Sequence, residues 1–159
     1  MNQWTFPTQI YAGPDSLNRL TEFSNESILI ICDPFLKDSP SLTYVMGLMD
    51  SKNKVTIYTD VVPDPPITHV VKGIEFMEGI KPTVIIAIGG GSCIDMSKGM
   101  AYFGRKLKHM DIKSFIAVPT TSGTGSEVTS FAVLTDSETQ IKYPLVDDAV
   151  LPFTHLKYL

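Results

Sequence analysis

The stretch PTVIIAIGGGSCIDMSKGMAYFG, Pro82–Gly104, decides the fold. It opens with six apolar or β-branched residues, Thr83–Ile88, and they show no alternation. A strand buried on both faces reads this way, which points to a parallel sheet covered by helices on each side. Gly89, Gly90 and Gly91 follow at once. Without Cβ atoms, their backbone turns sharply and lets a ligand approach the amide N–H groups. Ile94, Ser97, Lys98 and Ala101 then share one helical face, with Asp95 and Met96 beside them, and Gly104 reads as the helix stop. Strand, glycine turn and helix N-terminus together make a site for an anion such as a pyrophosphate. The competing reading is a tight strand–helix turn with no ligand.

Outward from this unit, the same alternation continues. Residues 27–31 (SILII) form a second continuous apolar strand, ending at Cys32-Asp33-Pro34, and Val55–Tyr58 a third. Leu42, Val45, Met46 and Met49 recur at helical spacing, as do Val70, Val71, Ile74 and Met77, for which Thr68 reads as the cap and Gly79 as the stop. The prolines of Val62–Pro66 exclude a helix there. Pro7 limits residues 5–12 to an edge strand or hairpin, and Leu17, Leu20 and Phe23 form the buried face of a short helix capped by Asp15 or Ser16. Ser114–Val118 is a further strand, breaking into the polar loop Thr120–Ser130. Residues 131–135 and 142–146 read as a β-hairpin turned at Asp136-Ser137-Glu138, whereas 151–159 offer no recognisable pattern. The fold class is therefore α/β, a mainly parallel sheet with flanking helices and a small hairpin.

Composition excludes several functions. With 159 residues, a net charge of −4 and 43% hydrophobic residues, the chain fits one ordinary globular domain, and nothing favours nucleic acid. No apolar run reaches the roughly 20 residues of a membrane span. The N-terminus lacks the basic flank and apolar core of a signal peptide, so a cytoplasmic location with Cys32 and Cys93 reduced is expected.

Ligands of open α/β sheets collect at the carboxyl ends of strands. Three candidates lie there: Asp33, the turn Gly89–Ser92, and the loop Thr120–Ser126. A carboxylate beside a glycine turn suits the hydroxyls of an adenine ribose and repels a 2′-phosphate, although Asp33 also fits a plain turn cap before Pro34. The loop TTSGTGSE, Thr120–Glu127, packs five hydroxyls and two glycines into eight residues, suited to phosphate, ribose or carboxamide without added charge. Asp95 and Lys98, at i and i+3, fit a simple pair on the helix, with support of the glycine turn or a place facing the cofactor as the alternative for Asp95. The turn does not match the G-x-G-x-x-G fingerprint, so any nucleotide is held by a variant of that design. No nucleophile, base or metal-ligand set is present, and His69, His109 and His155 read as scattered, solvated residues.

The pair GGGSCIDMSK (Gly89–Lys98) and AVPTTSGTGSEVT (Ala117–Thr129) closely resembles the iron-containing, or group III, alcohol dehydrogenases. The likeness extends from TQIYAG through ILIICD and VVPDPP to KYPLVDDAVLP, and is closest to the ethanolamine-utilisation and 1-propanol dehydrogenase type. It covers the family's N-terminal half only. It implies a dehydroquinate synthase-like, Rossmann-related dinucleotide domain over residues 1–152, with 153–159 a non-matching tail. NAD is the implied cofactor. On the matching positions, Asp33 is expected at the adenosine ribose, and Gly90, Gly91, Ser92 and Asp95 around the pyrophosphate. Thr120, Thr121 and Thr124 are expected toward phosphate and nicotinamide, with Phe131 and Lys142 in the same cleft. The family's helical C-terminal domain supplies an aspartate and three histidines for Fe2+ or Zn2+, and these ligands are missing here. The resemblance thus implies the cofactor half of a homo-oligomeric dehydrogenase acting on a primary alcohol or aldehyde, inactive alone. The alternative is a stand-alone nucleotide-binding or assembly module.

Overall fold

A computed structural model describes residues 7–157. The expected strand positions 5 and 6, and the last two residues of the tail, lie outside them. Six parallel strands form one sheet in the order β1-β8-β5-β4-β2-β3: β1 Gln9–Ala12, β2 Ser27–Cys32, β3 Lys54–Tyr58, β4 Val84–Gly89, β5 Ser114–Pro119 and β8 Thr154–Lys157. The antiparallel hairpin of β6 (Phe131–Thr135) and β7 (Lys142–Val146) stands apart, closed as expected at Asp136, whose Oδ1 accepts from the Glu138 amide.

The absence of alternation in β2 and β4 has its cause in two cores. Leu29, Ile31, Ile85 and Ala87 point to one face, under α2 (Ile67–Ile80) and α3 (Gly91–Lys108). Ile28, Ile30, Val84 and Ile86 point to the other, under α1 (Pro40–Gly47) and the 3-10 turn Ser16–Glu22. The α1 crossover links β2 to β3 on one side, whereas α2 and α3 carry the chain back past β2 to β4 and β5. Right-handed crossovers running in opposite directions place their helices on opposite faces. The reversal falls between β2 and β4.

Several local expectations change. Helix α2 starts after Pro66, and Thr68 lies inside it with its hydroxyl 3.2 Å from that of Ser137. Gly79 and Gly104 do not stop their helices: α2 ends at left-handed Lys81 (φ 47°) and α3 at left-handed His109 (φ 51°). Gly104 is used for packing instead; a Cβ there would lie 3.1 Å from Met77 Cε and Met110 Sδ. The first short helix is 3-10, and neither Asp15 nor Ser16 caps it by a side chain. Residues 154–157, which lack an apolar run, form β8 between β1 and β5.

Candidate functional site

The reversal point between β2 and β4 is where the ends of two crossovers diverge and leave a crevice. Asp33 follows β2 and the glycine turn follows β4, so the topology places both at this point. They touch: Asp33 Oδ2 accepts from the Gly90 amide at 3.1 Å. Two glycines are required by their surroundings. A Cβ on Gly89 would lie 2.6 Å from Asp33 Oδ2 and 2.7 Å from Cys93 Cβ, and one on Gly91 would lie 2.8 Å from Thr124 Cγ2. Around Gly90 there is ordinary space, with Thr121 Oγ1 3.5 Å from a Cβ position. Gly90 is also the N-cap of the 18-residue α3, so the positive end of that helix faces the same space.

The loop after β5 covers this turn. Its first amide, Thr120, donates to the Gly89 carbonyl at 3.0 Å. Gly123 (φ 132°) and Gly125 (φ 66°) then take left-handed conformations that let the loop fold back with Thr121 and Thr124 toward the glycines. A cleft of about 890 Å³ opens beside it, lined by Ile88, Val118, Thr120 and Thr121 and, across from them, by Leu36 and Val45. That volume lies in the range of small-molecule sites. The sequence did not mark the Leu36 side of this cleft, because apolar residues of a core helix and of a ligand wall look alike.

The remaining expected residues separate into two groups. Ser92 Oγ accepts from the Asp64 amide at 3.2 Å, and Asp64 Oδ1 lies 2.6 Å from Lys142 Nζ, so Ser92 and Lys142 are tied through the proline-rich loop. Asp95 and Lys98 do not bond to each other along the helix; both are buried beneath the hairpin and hold its backbone instead. Asp95 Oδ2 accepts from the Val133 amide at 3.1 Å, its Oδ1 has no partner, and burial raises its pKa. Lys98 Nζ donates to the carbonyls of Thr129 (2.7 Å) and Phe131 (2.8 Å) and to Thr129 Oγ1 (3.1 Å). Burial lowers its pKa to about 8, against the pull of Asp95 and Glu127. Phe131 itself is partly exposed at the start of β6.

The thiols and histidines offer no chemistry. Cys32 and Cys93 are free and buried, and burial pushes Cys32 up to about 11 and Cys93 higher still, far from a reactive thiolate. His155 is not solvated: it is buried in β8 with both ring nitrogens unpartnered, and burial lowers its pKa. His69 lies 3.7 Å from Asp60, and His109 is exposed. Among the described residues no group of three or more histidine, cysteine, aspartate or glutamate side chains is placed to hold a metal ion. The side chains present therefore do not fit the iron or zinc site that the resemblance implies.

Comparisons with known proteins show the family and the fold. The chain is 41% identical over 152 residues to the 1-propanol dehydrogenase PduQ of Salmonella typhimurium, covering 96% of this chain and 41% of that protein. It is 37% identical to the NADPH-dependent butanol dehydrogenase of Clostridium saccharobutylicum, covering 96% of this chain and 43% of the relative. Among solved structures, sulfoacetaldehyde reductase from Bifidobacterium kashiwanohense in complex with NAD+ matches with a TM-score of 0.85 at 26% identity, over 99% of this chain and 46% of that one. The chain thus spans less than half the length of the relatives it matches. A model of the iron-containing alcohol dehydrogenases matches residues 7–156, and the chain belongs to that family.

Proposed function

We propose that this chain is the dinucleotide-binding half of a dehydrogenase that exchanges a hydride between NAD(H) and a primary alcohol or aldehyde. One observation carries the reading: Asp33, the glycine turn and the hydroxyl loop meet where the strand order reverses. The Gly91 amide and the open N-terminus of α3 hold the pyrophosphate, with the helix dipole opposing its charge, while the Gly90 amide is kept by Asp33. Thr121 and Thr124 close over it from the loop, and Thr120 continues toward the nicotinamide. The bound cofactor supplies a nicotinamide ring that accepts or gives the hydride. Ser92 and Lys142 act on the flank of the site through Asp64, and Asp95 and Phe131 through the hairpin. The whole parallel sheet from β1 to β8 serves as the cofactor domain, the metal and most of the substrate pocket come from elsewhere, and the chain alone has no turnover.

Cofactor choice rests on Asp33. Its relatives include an NADPH-dependent enzyme, so the family alone does not decide it. A carboxylate at the ribose hydroxyls accepts their hydrogen bonds and repels a 2′-phosphate. Titration of Asp33→Gly tests this: NADH binding weakens by about tenfold or more, some 1.4 kcal/mol, while NADPH gains relative to it. An unchanged NADH-to-NADPH ratio contradicts the assignment.

A further inference from the structure

The hydroxyl loop is tied at two ends and held between them by bonds within itself, such as that from the Val128 amide to the Gly125 carbonyl at 3.0 Å. At its start the Thr120 amide is tied to Gly89. In its middle, Gly123 and Gly125 give the backbone freedom that other residues lack. At its far end the chain reaches Thr129 and Phe131, whose carbonyls meet the Lys98 ammonium. All three Lys98 N–H groups have acceptors, and all lie in this one turn. The side chain is wholly buried, so it cannot itself reach a ligand in the cleft. One helical turn earlier, Asp95 holds the Val133 amide and so pins the next residues of the same segment. The spacing that reads as a pair on the helix is a two-point staple.

We propose that Lys98 is a positioning residue for the cofactor: from inside the core it sets the height of the hydroxyl loop over the glycine turn. This rests on the dinucleotide reading given above. If the ammonium is removed, the Thr129 and Phe131 carbonyls lose their buried partner. Unpaired buried carbonyls cost free energy, and the segment relieves that cost by lifting into water. Thr121 and Thr124 then leave the glycine turn, while Asp33, just after β2, stays in place. The loss falls on the pyrophosphate contacts and spares those to the adenosine end.

The test is Lys98→Met in the full 159-residue chain, which keeps the length of the side chain and deletes its donors. Amide hydrogen exchange is read across the molecule, and binding is measured for NADH and for adenosine. The expected result is faster exchange confined to residues 121–133, with β4 and β5 protected as in wild type. NADH binds about tenfold or more weakly, the scale typical of coupled sites, and adenosine binding is unchanged. A variant with wild-type loop protection and wild-type NADH affinity overturns the proposal. So does a uniform loss of protection with NADH and adenosine weakened alike, which marks a merely structural lysine. If wild-type chain binds no NADH, the dinucleotide reading fails, and this proposal fails with it, whereas loss specific to Lys98→Met leaves that reading intact. Should Lys98→Met not fold, native-state exchange of the wild type decides. The Val133 amide should open only with global unfolding, and opening in a low-energy local event overturns the clamp.

Discussion

Three consecutive glycines meet three different surroundings, so single methyl additions separate their roles. Gly89→Ala places a methyl against Asp33 Oδ2 and against the root of the Cys93 side chain, which cannot swing away, and should cost about 1–3 kcal/mol in urea denaturation. Gly90→Ala has room and an ordinary extended backbone, so stability should change by less than about 0.5 kcal/mol. NADH affinity should nonetheless fall, because the added methyl occupies the space assigned to the pyrophosphate. Equal losses of stability in both variants would contradict this division. Lys98 makes a prediction in pH. The unfolded chain keeps this proton to about pH 10.4, whereas the folded amine releases it near 8. Below pH 8 the folded state bears the full cost of the buried charge. Between these values the unfolded state binds the extra proton, so this group's contribution to stability rises with pH. The stability of wild type relative to Lys98→Met should therefore increase from pH 8 to 10, and a pH-independent difference would argue against the buried cation.

Among the elements, β8 is the least legible and the most exposed to acid. Its residues Thr154–Lys157 contain neither an apolar run nor alternation, and the strand exists because β1 and β5 offer it edges on both sides. His155 is thereby buried with two orphaned nitrogens, near Glu127, which favours its charged form, and Lys157, which opposes it. Its pKa lies below the usual histidine value, so as pH falls below about 6.5 the unfolded chain takes up a proton that the folded one resists. Stability should drop with acidification, and His155→Leu should remove that drop and add about 1–3 kcal/mol by deleting unpaired buried groups. An unaltered acid midpoint in His155→Leu would count against it. Helix ends were misread for a related reason. Gly79 and Gly104 look like stops, but Gly104 is held back by its packing under Met77 and Met110, and the left-handed positions fall on Lys81 and His109. Lys81→Gly should relieve that strain by about 1 kcal/mol, measurable as a raised Tm. By contrast β2, β4 and the turn into α3 were plain in the sequence, since only a two-faced strand reads as an unbroken apolar run. Asp95 and Lys98 were not, because spacing along a helix says nothing of the hairpin that later covers it.

For the whole molecule, one sheet order explains why the candidate residues meet. The chain passes from β2 to β3, returns past β2 to β4, and leaves Asp33 and the glycine turn at the point of reversal. The hairpin is held on α3 through β6 and leaves Ile141, Tyr143 and Val146 exposed. The dinucleotide reading does not depend on that face. Its most direct measurement is calorimetric titration of the folded chain with NADH and, in parallel, NADPH. One saturable site per chain, tighter for NADH, is the predicted result. A folded chain that takes up neither dinucleotide, or that prefers NADPH, contradicts the central claim.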